Sequence, residues 1–362
     1  MSNKKWFIIC VTVALILLIT VVLLNMRTDT YGVRMSLFNW DKKILSDYPD
    51  YPGGLNQHIF SPEFIFQNPG RFDAFLFGSS RVAVIDVSDI TDNHFYNMWY
   101  SEGLPGEHLR VIRHFLEKGL PVQSVLIGLE EASFRMSATV HEDQLLRIMH
   151  PDIGNTPRLK LFFLYFFRLP ERFEMSTLMK KIIKRQMPVR LSFDSNGRSL
   201  LWYTKEKIIE AADHPLFVFE SRDYEPVAYP PDTIREGLDA VREIKKLSEK
   251  HQFTVTFFLN PIYADYYMNY ADGLIAVKER LAEITDFYDF SGFNSVTTDI
   301  MNYYEESHYR YRLGDMIINR IYGVGPLKAP EDFGVFVTRQ NVAQHVEKQK
   351  QELKRYLQTR KP

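Results

Sequence analysis

The chain has 362 residues, with 44 Lys and Arg against 45 Asp and Glu, for a formal charge of −1. That balance leaves no basic surplus to neutralise phosphates, so no nucleic-acid partner is expected. Its one cysteine, Cys10, lies in an apolar N-terminal run, so the rest of the chain has neither disulfides nor thiol or zinc-cysteine chemistry.

Residues 6–24 carry no charge, and their only hydroxyls, Thr12 and Thr20, can bond back to helix carbonyls. At about 1.5 Å per residue the run spans roughly 28 Å, close to the hydrocarbon thickness of a bilayer. No small-x-small cleavage site follows it, so the run reads as an uncleaved signal anchor; a buried soluble helix is the alternative. Lys4 and Lys5 before the run are matched by Arg27 and Arg34 after it, and the charge rule alone does not orient it. The short Lys-Lys tail resembles a signal n-region. It places the N-terminus in the cytoplasm and the main domain outside an inner or cytoplasmic membrane.

Residues 25–71 are turn-rich, with Tyr48-Pro-Asp-Tyr-Pro-Gly-Gly54, and read as a polar spacer. Short apolar strands follow at 74–77, 94–97 and 124–128, and the Leu109, Ile112, Phe115 and Leu116 stripe predicts a helix over 105–118. Residues 131–231 differ in character and read as a largely helical insertion. Within it, the apolar run 159–167 is too short to span a bilayer; a buried helix is its default, over a membrane-dipping or partner-binding segment. The basic stretch 180–185 suits anionic lipid or polymer, or simply a solvated helix face. The rhythm resumes with a helix at 231–250, a strand at 254–260, a helix at 274–284, a fifth strand at 286–290 and a helix ending near 321. The tail, 324–362, carries an amphipathic helix over about 341–357. Strands alternating with helices imply a mostly parallel α/β sheet covered on both faces, with ligands at the C-terminal strand ends.

At such an end stands Gly78-Ser79-Ser80-Arg81, directly after the first strand, where a nucleophile on a sharp turn is expected. Beyond the fifth strand, Tyr303-Tyr-Glu-Glu-Ser-His308 contains Glu305-x-x-His308. A serine hydroxyl needs a base to take its proton, and the imidazole needs an acid to hold its tautomer.

On these blocks the chain resembles the SGNH (GDSL-like) hydrolase superfamily over about residues 72–321. The likeness is to its bacterial membrane-anchored branches, which include proteins that O-acetylate cell-surface polysaccharides or help D-alanylate teichoic acids. The resemblance implies a flavodoxin-like three-layer α/β/α fold with a five-stranded sheet. By position it makes Ser80 the nucleophile, with Ser79 in place of the usual aspartate, and His308 and Glu305 the base and acid. Asn97 and Gly103 fall near the second block, whose glycine amide lines the oxyanion hole. The third block departs from the pattern: Gly128-Leu-Glu-Glu131 stands where the superfamily has Gly-x-Asn-Asp, and a carboxylate at Glu130 cannot donate to an oxyanion. Arg81 and Asn260 are candidate replacements, with Arg81 equally able to pair with Glu130 or Glu131. The implied activity is acyl transfer or ester hydrolysis with no cofactor or metal. Its substrate would be an envelope glycan or a lipid-linked acyl donor, and a multispanning acyltransferase is a candidate partner. A non-catalytic scaffold or glycan-binding subunit is the alternative.

Overall fold

Four-residue and six-residue runs without a polar face have nowhere to sit but inside a sheet covered on both sides. In the computed structural model Ala74–Phe77 (β1), Phe95–Asn97 (β2), Ser124–Leu129 (β3), Thr254–Leu259 (β4) and Phe287–Asp289 (β5) pair in parallel in the spatial order β2-β1-β3-β4-β5. Every residue of β1 and β3 is buried. The chain then forms a hairpin of β6 (Tyr303–Glu305) and β7 (His308–Tyr309), after which β8 (Val335–Val337) adds antiparallel to β5. The structure describes residues 2–38, 51–52, 55–139, 144–170, 175, 179, 190–191, 193–212, 214–215 and 223–359.

The sheet therefore has six strands rather than the five expected. The sixth comes from the C-terminal tail: Val335-Phe-Val337 is too short to declare itself by pattern, and Phe336 remains exposed while Val337 is buried. Helix Pro105–Glu117 packs on helix Pro231–His251, and helix Ala264–Ala282 packs on the tail helix Val342–Thr359. Helix Ala264–Ala282 begins well before the expected 274, because Tyr267, Met268 and Ala271 continue its buried face in a stretch whose tyrosines mask the apolar period.

The tail helix is fastened by a fully buried polar cluster. Asp289, at the end of β5, receives Lys278 Nζ at 2.8 Å, His345 Nε2 at 2.7 Å and Gln349 Nε2 at 3.2 Å. Its other oxygen accepts the Ser291 hydroxyl at 2.6 Å. Burial alone would push the Asp289 carboxyl up, but the Lys278 charge and the His345 hydrogen bond hold it well below the usual carboxylate range.

The chain divides into two compact units, Met1–Gln67 with Glu142–Ser192, and Asn68–His141 with Phe193–Pro362. Residues 25–71, expected as a polar approach, contain the helix Gln57–Gln67, most of which is buried. The expected insertion 131–231 is split: its middle belongs to the N-terminal unit, and residues from Phe193 onward belong to the sheet's unit. Pro62 inside helix Gln57–Gln67 has no N–H to give the His58 carbonyl. The His150 N–H fills that vacancy at 3.0 Å, and the His150 ring meets Glu63 Oε2 at 2.7 Å. Buried Asn56 donates to the Leu145 and Ile148 carbonyls at 2.9 and 2.8 Å. Most of the turn-rich stretch 48–54 and all of the basic stretch 180–185 lie outside the described residues, although Tyr51 and Pro52 pair with Leu191 and Arg190.

The helix Asn3–Thr28 is long and apolar enough to cross a membrane, the one such helix among the described residues.

Asp289→Asn leaves Lys278 charged and unmatched in the interior, a loss of about 3–5 kcal/mol. Asp239→Asn removes an exposed pair with Arg242 and is expected to cost about 0.5 kcal/mol or less. Thermal melts of the detergent-solubilised chain should separate the two; equal shifts would deny the buried cluster its role.

Candidate active site

The site begins where β1 ends. Gly78 and Gly103 bring two backbones together: a Cβ on Gly103 would lie 2.5 Å from the Gly78 carbonyl oxygen, so no side chain fits there. The next two serines divide the work. Ser79 is buried at 2% exposure; its hydroxyl donates to Glu130 Oε2 at 2.6 Å and accepts the Arg81 N–H at 3.2 Å. It is tied into the turn and faces away from His308. Ser80 is half-buried, opens the turn into the 3-10 helix Val82–Val84, and places its Oγ 2.7 Å from His308 Nε2.

His308 leads β7, and Glu305 ends β6, so the acid and the base occupy the two arms of one tight hairpin. His308 Nδ1 is hydrogen-bonded to Glu305 Oε1. The Ser307 hydroxyl donates to the same oxygen at 2.8 Å, and its N–H to Oε2 at 3.2 Å. Burial would raise the Glu305 carboxyl, but the His308 and Ser307 hydrogen bonds bring it down to about 2. An ionised Glu305 can only accept, so Nδ1 carries the proton and Nε2 keeps the lone pair that faces Ser80. The three expected residues are thus brought into one hydrogen-bonded chain of hydroxyl, imidazole and carboxylate.

The expected oxyanion donors are placed differently. Arg81 is buried and fully engaged: Nη1 and Nη2 grip Glu131 at 2.6 and 2.7 Å, Nη1 lies 3.0 Å from Glu130, and Nε donates to the Ser307 carbonyl at 2.8 Å. It braces the site and is not directed at a substrate. The two carboxyls answer it unequally. Burial raises Glu130 despite the Arg81 charge, whereas in Glu131 the bidentate pair overcomes burial and lowers it. Asn97 gives its amide to the Val82 and Ile85 carbonyls at 2.8 and 3.3 Å, pinning the turn after Ser80. Asn260 donates to the Leu129 carbonyl at 3.2 Å and accepts the Tyr309 hydroxyl at 2.9 Å, so it latches β7 to the end of β3. The Gly103 N–H goes to the Tyr100 carbonyl at 3.2 Å. Among the described residues no acceptor is bonded to the Ser80 backbone N–H, and the Asn260 amide, which donates once, keeps a second N–H.

Sequence reasoning missed the support behind His308. Trp202 lies 5.7 Å from the His308 ring and stacks on Tyr304 at 5.0 Å, with Lys205 Nζ 3.9 Å from the Trp202 centroid. The indole is thus packed among Tyr304, His308 and Lys205 as a wall for the imidazole. The Tyr304 hydroxyl donates to Glu206 at 2.5 Å, and Arg310 Nη2 reaches Glu206 at 2.6 Å. Nothing in a single sequence links 202–206 to 304–310; only Arg310, two residues past His308, hinted at a buried partner.

No family model, curated protein or solved structure matches the chain.

The depressed Glu305 carboxyl contributes stability that is present above its unfolded value of about 4.3 and is lost as pH falls toward about 2. The Tm difference between the wild-type chain and Glu305→Gln should therefore be largest above about pH 5 and shrink through that window. A difference that does not change with pH would mean that Glu305 is not an ionised partner of His308.

Proposed function

We propose that this protein is a membrane-anchored, SGNH-like serine acyltransferase or esterase, acting outside the cytoplasm on acyl groups of a cell-envelope polysaccharide or a lipid-linked glycan. The observation that carries the reading is the Ser80 Oγ to His308 Nε2 contact of 2.7 Å, made between residues 228 positions apart and backed by Glu305. The β2-β1-β3-β4-β5 order adds support. It is the doubly wound, flavodoxin-like order, and it sets the nucleophile at the C-terminal end of β1, next to the strand-order reversal where such sheets bind ligands.

His308 takes the Ser80 proton as Oγ attacks the ester carbonyl. The tetrahedral intermediate collapses, His308 returns the proton to the departing alcohol, and an acyl-serine remains. A second hydroxyl, from water in hydrolysis or from a glycan in transfer, gives its proton to His308 and takes the acyl group, restoring Ser80. General-base help of this kind is worth about 10²–10⁴ in rate. A single oxyanion donor is worth about 10²–10³, and with the Ser80 N–H and one N–H of Asn260 left to serve an oxyanion, the serine–histidine relay carries much of the catalysis in this reading.

A second reading has a specific observation in its favour. Glu130, where the resemblance implies a donating asparagine, is locked to Ser79 and Arg81. That arrangement suits a fold kept as a scaffold or glycan-binding subunit. Treating the purified full chain with a fluorophosphonate separates the two. Wild type and Ser79→Ala should label, Ser80→Ala should not, and His308→Ala should label about 10³-fold more slowly or worse. Absence of wild-type labelling with retained binding of envelope glycan would establish the scaffold.

The extracytoplasmic placement is supported by Lys4 and Lys5 before the anchor and by the esterase-like site. A reporter that matures only outside the cytoplasm, fused after Pro362, should be active in cells; a cytoplasmic signal would reverse the orientation and the envelope substrate with it.

A further inference from the structure

We infer that helix Arg158–Phe166, with the residues just after it, lies in the lipid headgroup boundary as a second, non-spanning membrane contact beside the base of the anchor. The inference rests on the reading of helix Asn3–Thr28 as a membrane span.

The expected fate of this run was burial in a core, and only one of its faces is buried. Leu161, Tyr165 and Phe166 pack into a cluster with Tyr31, Val33 and Ile59. The opposite face is open: Leu159 is 67% exposed, Phe163 49% and Leu169 80%, with Leu164 and Phe167 also exposed. Five large apolar side chains on one short segment are not a scatter of single exposed residues; such a patch marks an interaction surface.

What covers the patch follows from what lies beside it. The same cluster takes in Val22 and Met26 of the anchor helix, so the final apolar turn of the span packs directly against this unit. Between Val22 and Met26, Asn25 donates its side-chain amide to the Phe166 carbonyl at 3.0 Å and to the Arg168 carbonyl at 2.8 Å. Asn25 is the first polar residue after the uncharged run, so it marks the level at which hydrocarbon gives way to headgroups. The bonds from Asn25 satisfy carbonyls at the C-terminal end of helix Arg158–Phe166, where no intrahelical N–H can reach. They also hold that end at the depth of Asn25. An apolar face fixed at this level, with the long Lys160 stem among its exposed residues, has the composition of an interfacial helix, in which the lysine extends its ammonium to the phosphates.

The occupant is therefore the bilayer that already holds the anchor. With two contacts the first unit is restrained in tilt and rotation about the span, which a single helix would leave free.

Site-directed spin labels on the full chain test this. Cys10→Ser removes the native thiol, and single cysteines are then placed at Phe163 and Leu169, at Leu15 within the span and at Glu243 on an exposed helix of the other unit. In vesicles of phosphatidylethanolamine and phosphatidylglycerol, labels at 163 and 169 should collide with dissolved oxygen severalfold more than the 243 label does. They should also collide severalfold less with a water-soluble nickel chelate, resembling the label at 15. If position 15 is in lipid while 163 and 169 behave like 243, the interfacial contact is refuted and the anchor stands. If 163 and 169 are shielded from both reagents, protein and not lipid covers the face, which also refutes it. If position 15 is itself nickel-accessible, the anchor reading fails and takes this inference with it.

Discussion

The arrangement of this site depends on one buried guanidinium. Arg81 directly follows Ser80, and its side chain reaches Glu130 and Glu131 at the end of β3 and the Ser307 carbonyl in the loop before His308. Three chain segments, those of Ser80, of Glu130 and Glu131, and of His308, are tied at one point. A guanidinium suits this position because its planar fork can grip a carboxylate with two nitrogens and still offer Nε to a third segment; a lysine would supply a point charge without that geometry. The desolvation of three charged groups is offset only while all the hydrogen bonds are made. The 2.7 Å separation of Ser80 and His308 is thus a product of the brace as much as of the two residues themselves.

The same brace explains the departure at Glu130. An asparagine there could donate to a substrate but could not neutralise Arg81, while two carboxylates can share the guanidinium and accept the Ser79 hydroxyl. The site holds a continuous serine–histidine–glutamate hydrogen-bond chain, while Asn97, Asn260 and Gly103 each donate to neighbouring carbonyls. Those bonds hold the turn after Ser80, latch β7 to β3 and shape the loop against Gly78. The residues that look like substrate contacts in sequence act instead as the supports that keep the relay aligned.

The N-terminal unit is held by a different device, in which backbone vacancies of one segment are filled by polar groups of another. Pro62 leaves the His58 carbonyl without its helical donor, and His150 supplies one. Asn56 and Asn25 each place one amide on two carbonyls. Because a buried carbonyl left unbonded is costly, these contacts select one pairing of residues 55–67 with residues 144–170, two stretches that have no resemblance to each other.

Periodicity and composition alone determined the apolar N-terminal helix, the alternation that makes a mostly parallel sheet, and the two short motifs, Gly78 to Arg81 and Glu305 to His308, because each is written within a few residues. A glutamate three positions before a histidine can meet it across a tight hairpin whatever the rest of the chain does, and a serine after a buried strand must emerge at the strand's end. Three other features were decided by the tertiary structure: that Arg81 braces the site, that a tail strand completes the sheet, and that residues 57–67, within the stretch read as a spacer, form a largely buried helix. In each case the deciding partner lies tens of residues away, at Glu131, at Asp289 or at His150. Burial and hydrogen-bond satisfaction act on neighbours in space, and a single sequence orders its residues only along the chain.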